Sequence, residues 1–385
     1  MELWLELILW LSVSMIMIVT GGYPVGLALA GPLARRRRHL DEAEPFVTLI
    51  IAAHNEEGCI ARKLENALAL DYARERLEIV VASDGSTDGT ARIVETFSDR
   101  GVILRQYPRV GKTGIQNQSV KTATGDILVF SDANSLYRPD AIRKLVRNFA
   151  DPAVACACGQ LVYTANAHGA GDCERSYWHY EKFMKRRESD LSSLVGANGS
   201  IYAVRRTDYV EIDNDLISDL VEPLTLVKCG KRVVYEPEAV AVEEASTAYT
   251  VEYRRKVRIL TRSMKGLLHM RALLNPFRYG IFSFQLWMHK VMRYLVPYFL
   301  ITTFASWGAL AGLGFYRPSF AAACFILAVA VVVGRFTRGR RSNPLARVCH
   351  LVYYYLLVNY ALVPAWINMV RGRRLTVWVP ERKQA

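Results

Sequence analysis

The sequence of 385 residues lacks the patterns of several common protein classes. It contains no C-x-x-C pair, and its seven cysteines are an odd number, so reduced thiols in a cytoplasmic domain are favoured over a disulfide scaffold. Gly111-Lys112-Thr113 resembles the end of a P-loop, but position 106 is Gln where that motif needs Gly. The sequence also has no internal repeat and no low-complexity segment.

The chain lacks any helix-turn-helix, zinc-finger or RNP-like pattern, although its formal net charge is +13. Nucleic acid, anionic lipid and an anionic substrate are the three candidate partners for such a charge. The basic clusters at 35–38, 335–341 and 371–374 each adjoin an apolar stretch. That placement indicates membrane lipids as partners and argues against nucleic acid.

The first 34 residues are predicted to be a transmembrane anchor. Residues 3–33 carry Glu6 as their only charge, and four arginines follow them directly. A cleavable signal peptide has its positive charge before the apolar core, so we interpret this segment as uncleaved. The arginines predict that the next domain lies in the cytoplasm of a multi-pass inner (plasma) membrane protein.

Residues 45–247 are predicted to form an α/β domain of Rossmann-like type. Apolar, β-branched runs at 46–53, 77–83, 102–104 and 126–131 alternate with helical segments, as expected for an open sheet of mainly parallel strands. Ligands bind such sheets at the carboxyl ends of the strands. Asn55, Glu56, Asp84 and Asp132 stand at those ends.

The C-terminal third is predicted to return to the membrane. Residues 248–293 are basic and aromatic, which is typical of interfacial helices, with an ordinary solvated helix pair as the alternative. Residues 294–370 contain three apolar stretches, and 371–385 form a basic tail. With basic segments on both sides, the last stretch either re-enters the membrane or violates the positive-inside rule.

Four short motifs follow one another in a fixed order. They are Asn55-Glu56 after the first strand, Asp84-Gly85-Ser86 after the second, Gly111-Lys112 before a helix, and Asp132-Ala133-Asn134 after a later strand. Each motif alone is weak, whereas the order is specific. Over residues 45–265 the sequence resembles glycosyltransferase family 2, in the membrane-bound branch of hyaluronan, cellulose and poly-N-acetylglucosamine synthases.

The resemblance implies a GT-A-type nucleotide-sugar fold, an inverting mechanism and a role for each motif. Asn55, Glu56, Asp84 and Lys112 would bind the nucleotide, Asp132 and Asn134 would hold Mg²⁺ or Mn²⁺, and Asp219 would be the general base. The segment 255–259, with Arg255 and Arg258, stands where processive members have Q-x-x-R-W. Gly159 and Gln160, together with Asn198 and Gly199, would line the acceptor side.

The chemistry of these residue types agrees with the implied roles. Carboxylate and amide oxygens suit a hard divalent cation that neutralises a leaving diphosphate, and an arginine can hold the same diphosphate through two hydrogen bonds. An acceptor hydroxyl must lose a proton as it attacks, which requires a nearby carboxylate. Glu222, one helical turn after Asp219, is an alternative base, and a salt-bridged structural role for it is the competing interpretation.

The sequence departs from the family pattern at three positions. Asn134 replaces the second acid of the metal motif, Ile259 replaces the tryptophan of Q-x-x-R-W, and Arg255 replaces its glutamine. The expected function is transfer of a sugar from a nucleotide-sugar, with UDP as the expected nucleotide, to a growing β-linked polysaccharide at the cytoplasmic face.

Three alternatives and one open point remain. Single-sugar transfer to a lipid or lipid-linked glycan is the first, an inactive nucleotide-sugar-binding membrane subunit is the second, and a small-molecule transporter is the third. The transporter would need polar groups within the apolar stretches, and those stretches hold few. A homo-oligomer or an export partner could supply a channel that about four spans would not form alone.

Overall fold

The computed structural model describes residues 1–33, 39–164, 170–244, 249–336 and 344–373. The strands are β1 (Val47–Ala53), β2 (Leu77–Asp84), β3 (Val102–Tyr107), β4 (Ile127–Asp132), β5 (Leu136–Tyr137), β6 (Val154–Thr164), β7 (Ile201–Arg205) and β8 (Arg232–Glu244). The helices outside the apolar segments are α3 (Ile60–Leu68), α4 (Thr90–Glu95), α5 (Lys112–Val120), α6 (Ala141–Val146), α7 (Ala170–Leu191), α8 (Ser218–Lys228) and α9 (Tyr249–His269). The apolar helices are α1 (Glu2–Met17), α2 (Tyr23–Leu33), α10 (Pro276–Leu286), α11 (Arg293–Gly312), α12 (Arg317–Phe336) and α13 (Pro344–Val370).

All eight strands lie in one mixed sheet, in the order β3-β2-β1-β4-β7-β6-β8-β5. Strands β3, β2, β1 and β4 are parallel, which confirms the predicted α/β domain. Strand β7 runs antiparallel to both β4 and β6, and this reversal was not predicted. The parallel half brings the carboxyl ends of β1, β2 and β4 to one edge of the sheet.

Strands β1, β2 and β4 are buried on both faces, as their continuous apolar sequences predict, whereas β3 at the edge of the sheet is partly exposed. Every residue of β1 is buried. Leu49 and Ile51 pack with Ile60 and Leu64 of α3 on one face, whereas Ile50 packs near Ile115 of α5 on the other. Successive side chains of β1 therefore point into two hydrophobic cores, one on each face of the sheet, and the domain has three layers.

Among the described residues, four helical segments are long and apolar enough to cross a membrane: Glu2–Gly31, Pro276–Gly312, Arg317–Phe336 and Leu345–Val370. The second of these segments begins at Pro276, in α10, whereas the sequence predicted that it would begin at residue 294. Residues 18–22 form a π-helical turn that joins α1 to α2, so the first apolar segment continues through Gly21 and Gly22. The basic segments 34–38, 337–343 and 374–385 lie outside the described residues.

Helix α9 packs between the α/β domain and the apolar helices. Met264 and Leu267 of α9 share an apolar cluster with Leu220 of α8, Phe282 of α10 and Leu362 of α13. Gly266 lies so close to α8 that a Cβ there would meet the Val221 side chain at 2.7 Å. Close packing fixes α8, which carries Asp219, against the apolar helices.

A buried polar network joins the same two parts of the chain near α2 and α7. Glu188 of α7 accepts a hydrogen bond from Tyr23 Oη at 2.7 Å, and its Oε1 lies 2.7 Å from His289 Nδ1. Glu181 lies about two helical turns before Glu188, on the same face of α7. Its carboxylate lies 3.2 Å from His289 Nε2 and pairs with Arg293 at 2.6 Å. Buried charges need such partners, so the network sets the orientation of the apolar helices on the domain.

Candidate functional site

The backbone at the carboxyl ends of β1, β2 and β4 brings these three strand ends together. Asn55, directly after β1, has a φ of 51°, in the left-handed region that asparagine tolerates better than most residues. Its Oδ1 accepts a hydrogen bond from Thr87 N at 2.8 Å, which ties the β1 end to the β2 end. Strand register places Ala52 beside Asp132 and Ala53 beside Ser83. The three strand ends therefore meet.

Lys112, Asp132, Gly199 and Asp219 converge at this edge of the sheet. Lys112 Nζ donates hydrogen bonds to Asp132 Oδ1 and, at 3.0 Å, to the Gly199 carbonyl. A Cβ on Gly199 would lie 2.8 Å from Asp219 Oδ2 and 3.0 Å from Lys112 Nζ. Four residues that are distant in sequence thus form one constellation.

Local structure explains how Lys112 reaches this position. Gly111 precedes α5 with a φ of 86°, which favours glycine, and its N–H donates to Asp84 Oδ1 at 3.0 Å. Val110 N donates to the same oxygen at 2.7 Å. The buried Asp84 carboxylate therefore holds the turn that starts α5, rather than projecting into open space.

Asp219 has the electrostatic environment of a candidate base. It lies in the first turn of α8, where the helix dipole favours a carboxylate. Burial raises its pKa and Asp132 raises it further, whereas Lys112, Arg262 and Lys290 act in the opposite direction. A carboxylate with a raised pKa is a stronger proton acceptor than an exposed aspartate.

Arg262 and Lys290 were not predicted, and they come from two different elements. Arg262 lies on α9 and donates to the Leu216 carbonyl at 2.7 Å, while Lys290 lies in the π-helical turn between α10 and α11. Arg262 follows Arg258 by four residues, so it lies on the same face of α9. Helical spacing could have indicated Arg262, whereas no sequence signal indicated Lys290.

The other predicted nucleotide-binding residues are engaged in the fold. Glu56 is buried, its N–H donates to Thr90 Oγ1 at 2.8 Å, and its Oε2 accepts from Cys59 Sγ at 3.0 Å. Arg255 and Arg258 are half-buried on α9 and have partners of their own. The charge of Arg258 acts on Arg262, and the charge of Arg262 in turn acts on Asp219.

Gly159, Gln160 and Asn198 lie next to the loop that carries Gly199. Asn198 Nδ2 donates to the Gly159 carbonyl at 2.6 Å, and its Oδ1 accepts from Lys185 Nζ. A Cβ on Gly159 would meet the Ala239 carbonyl at 2.7 Å, so this glycine allows close packing of β6 on β8. Gln160 Oε1 accepts from Tyr235 Oη at 3.2 Å. The loop that carries Gly199 is therefore braced by residues that were expected to line the acceptor side.

Glu222 lies apart from the constellation. It is 1% exposed, and Tyr202 Oη donates to its Oε2 at 3.2 Å. Its other oxygen has no hydrogen-bond partner among the described residues, so the described structure gives Glu222 a tyrosine partner in place of the expected salt bridge. Burial raises the pKa of Glu222 to about 8. Geometry therefore favours Asp219 over Glu222 as the base.

The donor atoms for a divalent cation are hard oxygens. Asp132 is the last residue of β4, Asn134 lies two residues beyond it, and both are half-buried. Carboxylate and amide oxygens suit Mg²⁺ and Mn²⁺. Within the described ranges, no three His, Cys, Asp or Glu side chains form a group that could hold a metal ion. The residues thus fit a cation that takes its remaining ligands from a bound diphosphate.

Comparison with known proteins identifies the domain. Residues 48–211 match the model of the family described as glycosyl transferase family 2. Poly-beta-1,6-N-acetyl-D-glucosamine synthase of Staphylococcus aureus is 27% identical over 209 residues, which cover 52% of this chain and 50% of that protein. Beta-monoglucosyldiacylglycerol synthase of Nostoc is 29% identical over 152 residues, covering 38% of this chain and 32% of that protein.

A solved structure resembles the chain over nearly its whole length. The mannosyltransferase PcManGT from Pyrobaculum calidifontis, in complex with GDP-Man and Mn²⁺, has a TM-score of 0.70 and 21% identity, covering 96% of this chain and 99% of that one. The present chain spans about half the length of the Staphylococcus relatives. Fold, matched residues and relatives agree, and the chain carries a glycosyltransferase family 2 domain with a GT-A-like sheet.

Proposed function

We propose that the protein is an inverting, metal-dependent glycosyltransferase that moves a sugar from a nucleotide-sugar to an acceptor hydroxyl at the cytoplasmic face of a membrane. The observation that carries the proposal is the convergence of Lys112, Asp132, Gly199 and Asp219. Asp132 of the proposed metal motif, the Lys112 ammonium group and the Asp219 carboxylate, whose pKa is raised, meet at the carboxyl edge of the sheet. This arrangement suits displacement at a sugar carbon.

In the proposed reaction, Asp219 accepts the proton of the acceptor hydroxyl while the hydroxyl oxygen forms a bond to the anomeric carbon. The bond from that carbon to the diphosphate oxygen breaks, and the nucleoside diphosphate leaves with the electron pair. Direct attack inverts the anomeric carbon, so an α-linked donor gives a β-linked product. A cation held by Asp132 and Asn134 would neutralise charge on the leaving diphosphate.

Three cations are placed to act on negative charge around the base. Lys112 is within hydrogen-bond distance of the Gly199 carbonyl, and the charges of Arg262 and Lys290 act on Asp219. We propose that Lys112 also contacts the diphosphate and that Arg258 approaches it from α9. Fixed cations in a partly enclosed site stabilise charge that develops in the transition state.

A growing β-linked polysaccharide is the first proposed acceptor, supported by the similarity to the Staphylococcus synthases. The proposed donor is a UDP-sugar, as the resemblance to the membrane-bound synthase branch implies, and a GDP-sugar, of the kind bound in the Pyrobaculum structure, is the alternative to be tested. Transfer of a single sugar to a lipid is the second candidate. It is favoured by the Nostoc relative, whose name specifies a diacylglycerol product, and by the packing of α8 against apolar helices.

The test uses the full chain in nanodiscs with Mn²⁺ or Mg²⁺, a panel of UDP- and GDP-sugars, and a lipid extract. We expect metal-dependent release of nucleoside diphosphate that Asp219→Asn abolishes, with Glu222→Gln as the matched active control. A high-mass labelled product would support the polysaccharide, and a single lipid-mobile band would support the lipid acceptor. Nucleotide binding without release from any donor would instead indicate the inactive subunit.

A further inference from the structure

A buried carboxylate behind the site bridges the two loops that carry its functional residues. Glu243, near the end of β8, is 6% exposed. Ser135 Oγ and Ser200 Oγ both donate to Glu243 Oε1, each at 2.5 Å. Ser135 follows the metal motif directly, and Ser200 follows Gly199 in the chain. One carboxylate oxygen therefore joins the loop of the metal motif (residues 132–135, the metal-motif loop) to the loop that carries Gly199 and Ser200 (the acceptor loop).

Strand pairing places Glu243 at this point. Leu136 of β5 pairs with Val242 of β8 in antiparallel register, so the adjacent residues Ser135 and Glu243 are brought together just beyond the ladder. On the same seam, Tyr137 Oη donates to the Ser200 carbonyl at 3.0 Å and to the Phe130 carbonyl at 3.2 Å. The pairing of β5 with β8 thus fixes the position of the Glu243 carboxylate.

A fully buried lysine completes the cluster from the opposite side. Lys63 of α3 is 0% exposed, and its Nζ donates to the Ser135 carbonyl at 2.5 Å and lies 4.0 Å from the Tyr137 ring centroid. Burial lowers the pKa of Lys63 to about 7, against the opposing influence of Asp132 and Glu243. A buried acid and a buried base that meet on one loop cost desolvation energy, which apolar packing would avoid.

We propose that Glu243 is a positioning residue for glycosyl transfer, because its carboxylate fixes the metal-motif loop relative to the acceptor loop. Asp132 is three residues from Ser135, and Gly199 is adjacent to Ser200 and faces Asp219. A change at Glu243 would therefore alter the distance between the metal ligand Asp132 and the base Asp219 without removing either residue. The inference rests on the proposed function, because it takes Asp132 as a metal ligand and Asp219 as the base.

Glu243→Gln preserves the shape of the side chain but removes its charge, which weakens two charge-assisted hydrogen bonds. We expect kcat to fall by at least about ten-fold, since small displacements of catalytic groups have large effects on rate. The concentration of Mn²⁺ at half-maximal activity should rise several-fold, while the donor KM changes less than kcat. Purely structural support would instead lower the folded fraction and leave these constants unchanged in the folded protein.

The matched control is Glu244→Gln. Glu244 is the next residue on β8, is exposed, and pairs at the surface with Arg62 at 3.0 Å. The control should keep the wild-type kcat and Mn²⁺ midpoint. Ser135→Ala and Ser200→Ala each remove one donor to Glu243, so each should shift the metal midpoint in the same direction, and they carry the test if Glu243→Gln does not fold.

The assay is nucleoside diphosphate release by the full chain in nanodiscs over a titration of Mn²⁺. If the wild type turns over and Glu243→Gln matches it in kcat and metal midpoint, the positioning role is refuted and the proposed function stands. If Glu243→Gln folds but the serine variants behave like wild type, the bridge is not the cause and the inference also fails. Absence of turnover in the wild type itself would refute the proposed function, and the inference with it.

Discussion

Glu222→Gln should remove a pH dependence from the stability of the protein, because the raised pKa of Glu222 favours the protonated carboxyl in the folded state at neutral pH. Burial raises the pKa of Glu222 from its ordinary value of 4.5 to about 8. Between those values the unfolded state releases its proton and the folded state does not, so stability falls as pH rises through this window. Glutamine is a neutral side chain of the same shape and removes that dependence.

The size of the effect follows from the two pKa values. Linkage gives a loss of wild-type stability of about 3 kcal/mol between pH 5 and pH 7.5, in a range where the glutamine variant loses nothing at this position. For a domain of roughly 200 residues this corresponds to a melting temperature about 6–12 °C lower for the wild type at the higher pH, relative to the variant. A buried amide that lacks a partner costs stability equally at both pH values, so only the pH difference is diagnostic.

The measurement is thermal unfolding of purified wild type and variant at pH 5 and pH 7.5, followed by intrinsic fluorescence. Glu95→Gln, on an exposed position of α4, is the control and should track the wild type. Parallel melting curves for Glu222→Gln and wild type across this range would refute the raised pKa and the sign argued from it. Loss of transfer activity in a folded Glu222→Gln would contradict the choice of Asp219 as the base.

Three further predictions concern the site. Gly199→Ala places a Cβ 2.8 Å from Asp219 Oδ2, so transfer should slow on the order of 10–100-fold, whereas Gly58→Ala, which has open space around it, should leave transfer rates at the wild-type level. Asn134→Asp adds a second carboxylate to the metal motif and should lower the Mn²⁺ concentration for half-maximal activity; an unchanged midpoint would remove Asn134 from the ligand set. Because burial raises the pKa of Asp219, the acid limb of the kcat/KM profile should lie above the usual range of an aspartate, and a profile flat down to that range would exclude it as the base.

The parallel half of the fold was predictable because its signals are local. A strand buried on both faces, such as β1, is a continuous apolar run, and turn residues mark each end. The antiparallel pairing of β7 is set by contacts between distant segments, and nothing in the five residues of β7 specifies direction. The start of the second apolar segment was misplaced because Lys290 and Arg293 interrupt its hydropathy, and their counter-charge Glu181 lies far away in sequence.

The site was predictable where a residue type and its place in the motif order coincide. Lys112, Asp132 and Asp219 satisfy that condition, and the structure brings them together. Asn198 and Gly159 have the right residue types as well, but their hydrogen bonds and packing show that they brace the loop from behind. Sequence order identifies the segments near a site, whereas the direction in which a side chain points depends on packing that the order does not encode.

The surroundings of Asp219 also bear on why the apolar helices belong to this chain. Three cations act on that carboxylate: Lys112 from α5, Arg262 from α9, and Lys290 from the turn between α10 and α11. Only Lys112 belongs to the matched family domain. A soluble fragment that ended with β8 would lose the other two, so its Asp219 would be both more exposed to water and less balanced by positive charge. The electrostatic environment of the proposed base therefore depends in part on α9 and on the apolar segment that carries Lys290, both of which lie outside the matched family domain.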